Sequence, residues 1–305
     1  MTQITAQMVK DLREQTGAGM MDVKSALTEA QGNTEEATKI LRKKGLAAAS
    51  KKAGRVTAEG AVQAHVEGNV GVLVEVNCET DFVGRNENFR NFATEVAKVI
   101  ATSNAGTVDE LLADQWKGGE TVALKVAEMI GSIKENISIR RFARYEGTAN
   151  SAMGTYIHGG GKIGVMVELV AKSGSRTAKL DELARDVAMH IAASEPRFLR
   201  REEVTEKDLQ TEREIARDAA AKSGKPENIV EKMVSGKMDK FYGEACLLEQ
   251  PYIRDDKATV SQYIQKQAKE AGCTYEVARF TRYKLGEGIE KKGDDFAAEV
   301  ASFMK

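Results

Sequence analysis

Two stretches of this chain are copies of one another, and that duplication limits the folds open to it. Ala61 to Glu67 alternates toward a Gly68-Asn69 turn and is followed by the apolar run that begins at Val70 and holds Gly71-Val72-Leu73-Val74. Thr155 to His158, the turn Gly159-Gly160-Gly161 and the run Ile163 to Leu169 repeat the arrangement. Each reads as a β-hairpin whose second strand is buried. Each hairpin leads into an amphipathic helix, and the two helices match position by position: Phe89/Leu180, Phe92/Leu183, Ala93/Ala184, Val96/Val187, Ala97/Ala188 and Ile100/Ile191. The strands are offset by 93 residues (Gly71 to Gly164) and the helices by 91 (Phe89 to Leu180). The difference falls in the loop after the first strand, Glu75-Val76-Asn77-Cys78-Glu79-Thr80-Asp81-Phe82-Val83. Two copies are too few for a solenoid, so the pattern predicts two fused pseudo-symmetric α+β halves. Only one of them displays an Asp81-Phe82 pair.

A length of 305 residues calls for two or more domains. A formal net charge of −1 gives no bulk attraction to nucleic acid or to an acidic membrane. Lys51-Lys52 and Arg55 lie without interleaved aromatics, so nucleic-acid binding is not expected of them. Cys78, Cys246 and Cys273 are odd in number and far apart, which suits a reducing compartment and offers no metal pair. With no apolar run of spanning length and no secretory pattern at Met1 to Thr5, a cytoplasmic protein is expected.

Before the duplication, residues 4 to 45 read as three short helices. Thr5 caps the first, whose face is Met8, Val9 and Leu12; Val23, Ala26 and Leu27 mark the second; Ala37, Ile40 and Leu41 mark the third. Asn33 with Glu36 has capping-box spacing, and Gly45 reads as the last C-cap. The Ala/Lys-rich stretch from Ala47 to Val56 reads as a linker. Thr121 to Asn136 is a further helix, followed by a strand from Ile137 to Arg144. Residues 196–243 are charged and helical, with Leu209, Ile215, Ala216, Ala219 and Ala220 in a narrow stripe before Ser223-Gly224-Lys225-Pro226. This is an αα-hairpin arm with coiled-coil character. A helix from Thr259 to Ala271, a strand from Tyr275 to Leu285 and a last helix from Phe296 to Met304 complete the chain. The expected division is 1–54 (module and linker), 55–140 (first core half), 141–195 with 244–285 (second half), 196–243 (arm) and 286–305 (terminal helix).

No conventional active site, metal site or cofactor motif is legible. His65, His158 and His190 are scattered and read as packing or surface residues. Gly159-Gly160-Gly161-Lys162 lacks the spacing of a phosphate loop and precedes a strand. Taken alone, Phe82 at a strand end reads as core and Asp81 beside a glycine as a turn former. The divergence of the two repeat loops at this point favours function instead.

Leu12-Arg13-Glu14-Gln15-Thr16-Gly17-Ala18-Gly19-Met20-Met21-Asp22, with Lys24, Ala26 and Leu27, resembles the N-terminal signature of the bacterial elongation factor Ts family. The segment from Glu75 to Val83 resembles its second signature, and Leu248-Glu249-Gln250-Pro251 and Asp294 to Val300 extend the likeness along the chain. The resemblance implies a guanine-nucleotide exchange factor for elongation factor Tu, with no covalent chemistry and no cofactor. It implies a ubiquitin-associated-like fold for the N-terminal module and self-association through the arm. In that family Asp81 and Phe82 match residues that intrude beside the GTPase's magnesium and phosphate site, with Thr80 and Val83 flanking them. Leu12, Arg13, Thr16, Gly17 and Met20 would contact the same domain, as would Phe296 and Val300. His158, Gly159, Gly160 and Gly161 would meet another domain. Gly84 departs from the Ser or Ala more usual in the family, which would loosen the loop. The rival from another class is a polypeptide-binding adaptor working through the module alone; a hydrolase would need acid–base residues that the sequence does not offer.

Overall fold

In the computed structural model, which describes residues 3–222 and 226–290, the N-terminal pattern becomes α1 (Ala6–Thr16), α2 (Met20–Glu29) and α3 (Thr34–Lys52). The Thr5 hydroxyl accepts from the Met8 N–H at 3.2 Å, and Asn33 accepts from the Glu36 N–H at 3.0 Å, satisfying helix-start donors. Gly17, at φ 66°, ends α1 in the left-handed region. Val9, Leu12, Val23, Ala26, Leu27 and Ala37 form a small core between the three helices.

The first half then runs β1 (Glu59–Glu67), β2 (Val70–Cys78), α4 (Asp81–Arg85), α5 (Glu87–Thr102), α6 (Val108–Ala113), α7 (Val122–Ile133) and β3 (Ile137–Glu146). The second runs β4 (Ser151–His158), β5 (Ile163–Ser173) and α8 (Ala178–Ser194). After α9 (Glu206–Ala221) and α10 (Glu227–Ala245), it resumes with a small pair β6 (Pro251–Tyr252) and β7 (Asp255–Thr259), then α11 (Val260–Glu270) and β8 (Thr274–Lys284). The two main sheets are antiparallel, in orders β1-β2-β3 and β4-β5-β8.

All six matched helix pairs are buried, α5 against the first sheet and α8 against the second. The other faces of the sheets meet through Val62, Leu73, Tyr145, Met153 and Met166. The duplication thus becomes two sheet-and-helix layers packed sheet to sheet. The close approach rests on glycine: a Cβ at Gly164 would lie 2.3 Å from Val62 Cγ1, and one at the equivalent Gly71 2.8 Å from Met166 Sδ. A paired ion bridge repeats as well. Glu75 accepts from Arg141 at 2.6 Å and Glu168 from Arg279 at 2.7 Å, each pair facing across its sheet. Arg141 then lies over the ring of Tyr283 and Arg279 over that of Tyr145, so each half clamps an aromatic of the other. Burial would raise the pKa of Glu75, but the Gly286 N–H, Arg140 and Arg141 outweigh it and hold the carboxyl below the usual range.

Several expectations need correction. Gly45 is not a C-cap, and α3 continues through most of the expected linker. A Cβ at Gly45 would lie 3.1 Å from the Ala127 carbonyl oxygen, and one at Gly131 3.1 Å from Gly45 Cα. The glycines let α3 cross α7 at backbone contact, and Ala48 and Ala49 pack onto the first core. The boundary at 140/141 cuts β3, which stays paired to β2 through Glu146, and the one at 243/244 cuts α10, which runs on to Ala245, whose carbonyl accepts the Arg197 and Phe198 N–H groups. In the arm Ala216 and Ala220 are buried, as are Val230 and Met238, but Ala219 is exposed and Ile215 is 57% exposed. A two-helix hairpin offers only one facing partner, so part of the stripe stays bare. Residues 223–225 and the terminal helix with Phe296 and Val300 lie outside the described residues.

Candidate partner-binding surface

The histidines take packing or surface positions. His65 is half-buried near Glu67, and His158 is exposed at the end of β4, stacked on Tyr156. His190 is fully buried, its Nδ1 accepting from the Ile253 N–H at 3.2 Å and its Nε2 lying 2.9 Å from Gln250 Oε1. That geometry makes Nε2 the protonated nitrogen. Burial lowers the His190 pKa, only partly opposed by the Gln250 bond. Among the described residues no His/Cys/Asp/Glu group has metal-ligating geometry, and no helix is long and apolar enough to cross a membrane.

The loop between β2 and α5, by contrast, is built in detail. Thr80 caps α4, its hydroxyl accepting from the Val83 N–H at 3.4 Å and donating to Glu135 Oε1 at 2.6 Å. Glu135 Oε2 takes the Glu79 and Thr80 N–H groups at 3.1 and 3.0 Å. Glu79 returns the contact, accepting the Asn136 N–H at 2.6 Å. Val83 turns inward onto the first core. Gly84 is buried against β1, where a Cβ would lie 2.8 Å from the Gly60 carbonyl oxygen. The glycine therefore tightens this loop rather than loosening it, which corrects the expectation drawn from its departure from the family pattern.

With Thr80, Val83 and Gly84 fixed inward, the turn of α4 leaves its other face to solvent. Asp81 is half-buried and pairs with Arg85 at 2.8 Å. Phe82 is 82% exposed, and among the described residues no other aromatic is classed as exposed. The core reading of Phe82 is overturned. An uncovered phenyl ring on a turn held by its neighbours makes this loop a candidate contact surface.

The N-terminal module divides its expected contact residues. Leu12 is 1% exposed and sealed among α1, α2 and α3, so it shapes the module from inside rather than touching a partner. Thr16 is half-buried, donating to the Leu12 carbonyl at 2.7 Å, while Arg13 and Gly17 are exposed. Met20 is 58% exposed and Met21 73% exposed. Met21 had a signal in the sequence: it falls outside the stripe of Val23, Ala26 and Leu27. The module is tied to α7, where Ser132 donates to the Gly17 carbonyl and Lys134 pairs with Asp22 at 2.8 Å. Arg42 pairs with Glu128 at 3.4 Å and also with Glu120.

The glycine turn of the second half lies beside the same loop. His158, Gly159 and Gly160 are exposed, whereas Gly161 is buried against Ala61. The Gly161 carbonyl accepts the Val62 N–H at 2.8 Å. Arg90 donates from Nε to the Gly84 carbonyl at 3.2 Å and from Nη2 to the Gly160 carbonyl at 3.1 Å. One guanidinium thus joins the end of α4 to the β4–β5 turn. No local pattern marks Arg90 or Glu135, because the Gly160 and Thr80 contacts lie 70 and 55 residues away along the chain.

The family model described as "Elongation factor TS" matches residues 79–287. The chain belongs to the elongation factor Ts family. It is 51% identical over 303 residues to the elongation factor Ts of Syntrophotalea carbinolica, covering 99% of both chains. It is 49% identical over 300 residues to that of Clostridium perfringens strain SM101, covering 98% of both. The protein of the same name from Trichlorobacter lovleyi is 48% identical over 305 residues, with 98% of each covered. The resemblance stated from the two signatures is thereby borne out over nearly the whole chain.

Proposed function

We propose that this chain is a guanine-nucleotide exchange factor for the GTPase elongation factor Tu in cytoplasmic translation, and that Phe82 is its wedge. The observation that carries the reading is the exposure of Phe82 on a turn whose Thr80, Val83 and Gly84 are fixed inward. Exchange needs no covalent step. A factor that binds the empty GTPase more tightly than the GDP-bound form weakens GDP by the same factor, since coupling is reciprocal. GDP is held by a phosphate-cradling loop and a Mg²⁺ ion that demands near-ideal octahedral placement. Phe82 entering beside that site displaces its walls, and burial of the ring, worth about 1.5–3 kcal/mol, drives the intrusion. Asp81, held by Arg85, supplies polar placement.

Other surfaces extend this reading. The module, a ubiquitin-associated-like unit in this reading, presents Met20 and Met21 with Arg13, and its ties to α7 hold it at a fixed distance from α4. The exposed turn His158, Gly159 and Gly160 meets a second domain of the GTPase. The exposed Ile215 and Ile229 of the arm suit coiled-coil self-association. Phe296 and Val300 add a further contact in the same reading. The adaptor alternative, built on the module alone, has no observation in its favour.

The test is stopped-flow release of a fluorescent GDP analogue from elongation factor Tu. Phe82→Ala should fold as the parent does and slow release severely; a hot-spot truncation costs about 2 kcal/mol or more, on the order of thirtyfold. Unchanged release by a folded Phe82→Ala protein would sink the wedge.

A further inference from the structure

The elements that hold Phe82 in place converge on the last turn of α7, and chiefly on one side chain. α7 ends with Lys134 at φ 70°, a left-handed conformation unusual for a residue with a side chain. Glycine would adopt it more readily, but glycine carries no ammonium, and the Lys134 ammonium pairs with Asp22 of the module at 2.8 Å. The reversal of direction at Lys134 delivers Glu135 to the start of the wedge loop. There one carboxylate takes two successive backbone N–H groups, those of Glu79 and Thr80, and the Thr80 hydroxyl.

The hydroxyl bond decides how α4 begins. A carboxylate only accepts, so the Thr80 hydrogen must point at Glu135. The oxygen's lone pairs are then left for the Val83 N–H, which is the cap of α4. Glu135 therefore fixes the position of the loop and the orientation of the cap that launches Asp81 and Phe82. The Asn136 N–H bond to Glu79 closes the clamp from the other side. Nothing in the packing of α5 demands this arrangement. In the second copy β5 and α8 are joined through residues 174–177 with no intervening helix.

We propose that Glu135 is a positioning residue for exchange, holding the Phe82 turn in register with the N-terminal module through the end of α7. The proposal rests on the wedge reading of Phe82. Held this way, the two contact regions present one rigid template to the GTPase, and the energy of binding by the module is not dissipated in ordering α4. A misplacement of the order of an ångström can cost on the order of a hundredfold in rate.

The experiment measures GDP-analogue release from elongation factor Tu across a range of factor concentrations for the parent, Glu135→Ala, Glu135→Gln, Phe82→Ala and the Phe82→Ala/Glu135→Ala double variant. Glu135→Ala should lower the saturating rate by about tenfold to a hundredfold and change the half-saturating concentration far less. Glu135→Gln should recover most of that rate, because its amide oxygen can take both N–H groups and its NH₂ can donate to the Thr80 oxygen. The double variant should be no slower than Phe82→Ala, since Glu135 acts only through that ring. Parent-like rates for Glu135→Ala beside a slow Phe82→Ala would overturn this proposal and leave the wedge standing, as would slowing that multiplies in the double variant. A silent Phe82→Ala would remove the wedge and this proposal with it. Should Glu135→Ala fail to fold, Thr80→Val decides: parent-like release overturns the proposal, and slow release that Phe82→Ala does not deepen supports it.

Discussion

Gly84→Ala sets two opposed effects of known size against each other beside the exposed Phe82. Gly84 lies inside α4, where alanine would ordinarily stabilise by about 0.4–1 kcal/mol by restricting the unfolded chain. Here the added methyl would sit 2.8 Å from the Gly60 carbonyl oxygen and 3.2 Å from both its N and its Cα. All three are backbone atoms, so no side chain can rotate aside. Nor can Gly60 give way: its φ of 132° suits glycine, and β1 is paired to β2 through it. Overpacking against a rigid wall costs about 1–3 kcal/mol. The clash wins, and the net loss is roughly 0.5–2 kcal/mol. Gly236→Ala is the control, since it lies inside α10 with open space around it and should stabilise by about 0.5–1 kcal/mol. Urea unfolding followed by circular dichroism reads both: the midpoint should fall for Gly84→Ala and rise for Gly236→Ala. A raised midpoint for Gly84→Ala would refute the close packing of α4 on β1.

Acid should weaken the fold through His190. Its folded pKa is depressed below the ordinary 6.5, so the neutral ring's contribution is whole above about pH 6.5 and is lost as pH falls from there toward the folded value. Stability measured from pH 7.5 to 5 should fall less steeply in His190→Gln than in the parent, and equal slopes would contradict this. Removing residues 1–54 takes away the C-terminal part of α3 along with the module, uncovering α7 where Ala48, Ala49 and Gly45 had packed. The truncated chain should therefore bind a hydrophobic dye more strongly and melt earlier than the parent, as well as losing affinity for the GTPase; a parent-like melting temperature would argue against the α3–α7 contact.

Local periodicity made much of this fold legible. The hairpins and the paired faces of α5 and α8 follow from alternation and from 3.6-residue spacing, which depend on neighbours in the chain. What escaped was non-local. Gly45 satisfies the rule for a C-cap and the requirement of a helix crossing equally well, and only the position of Gly131 separates them. The ion pairs of the buried acids Glu75 and Glu168 leave no local mark, because Arg141 and Arg279 lie 66 and 111 residues further on. Leu12 belongs to a family motif that marks which residues recur and does not separate the buried from the exposed. At the candidate site Phe82 could be found because the second repeat has no counterpart to it, whereas Glu135 sits unmarked between Lys134 and Asn136.

The duplicated core explains why one loop is free to carry an exposed aromatic ring. α8 is held on its sheet by Leu180, Leu183, Ala184, Val187, Ala188 and Ile191 after a short connection that forms no helix. α5 is held by the matching residues, so α4 is an addition to the first half that the second half folds without. An exposed phenyl ring brings no stability in the isolated chain and invites association. The loop nonetheless surrounds Phe82 with a threonine cap, a carboxylate clamp, a glycine packed on backbone and an arginine bridging to the other half. Each contact fixes the backbone on one side of the ring while leaving the ring itself bare. In the exchange reading proposed above, the missing contact is the one the GTPase supplies.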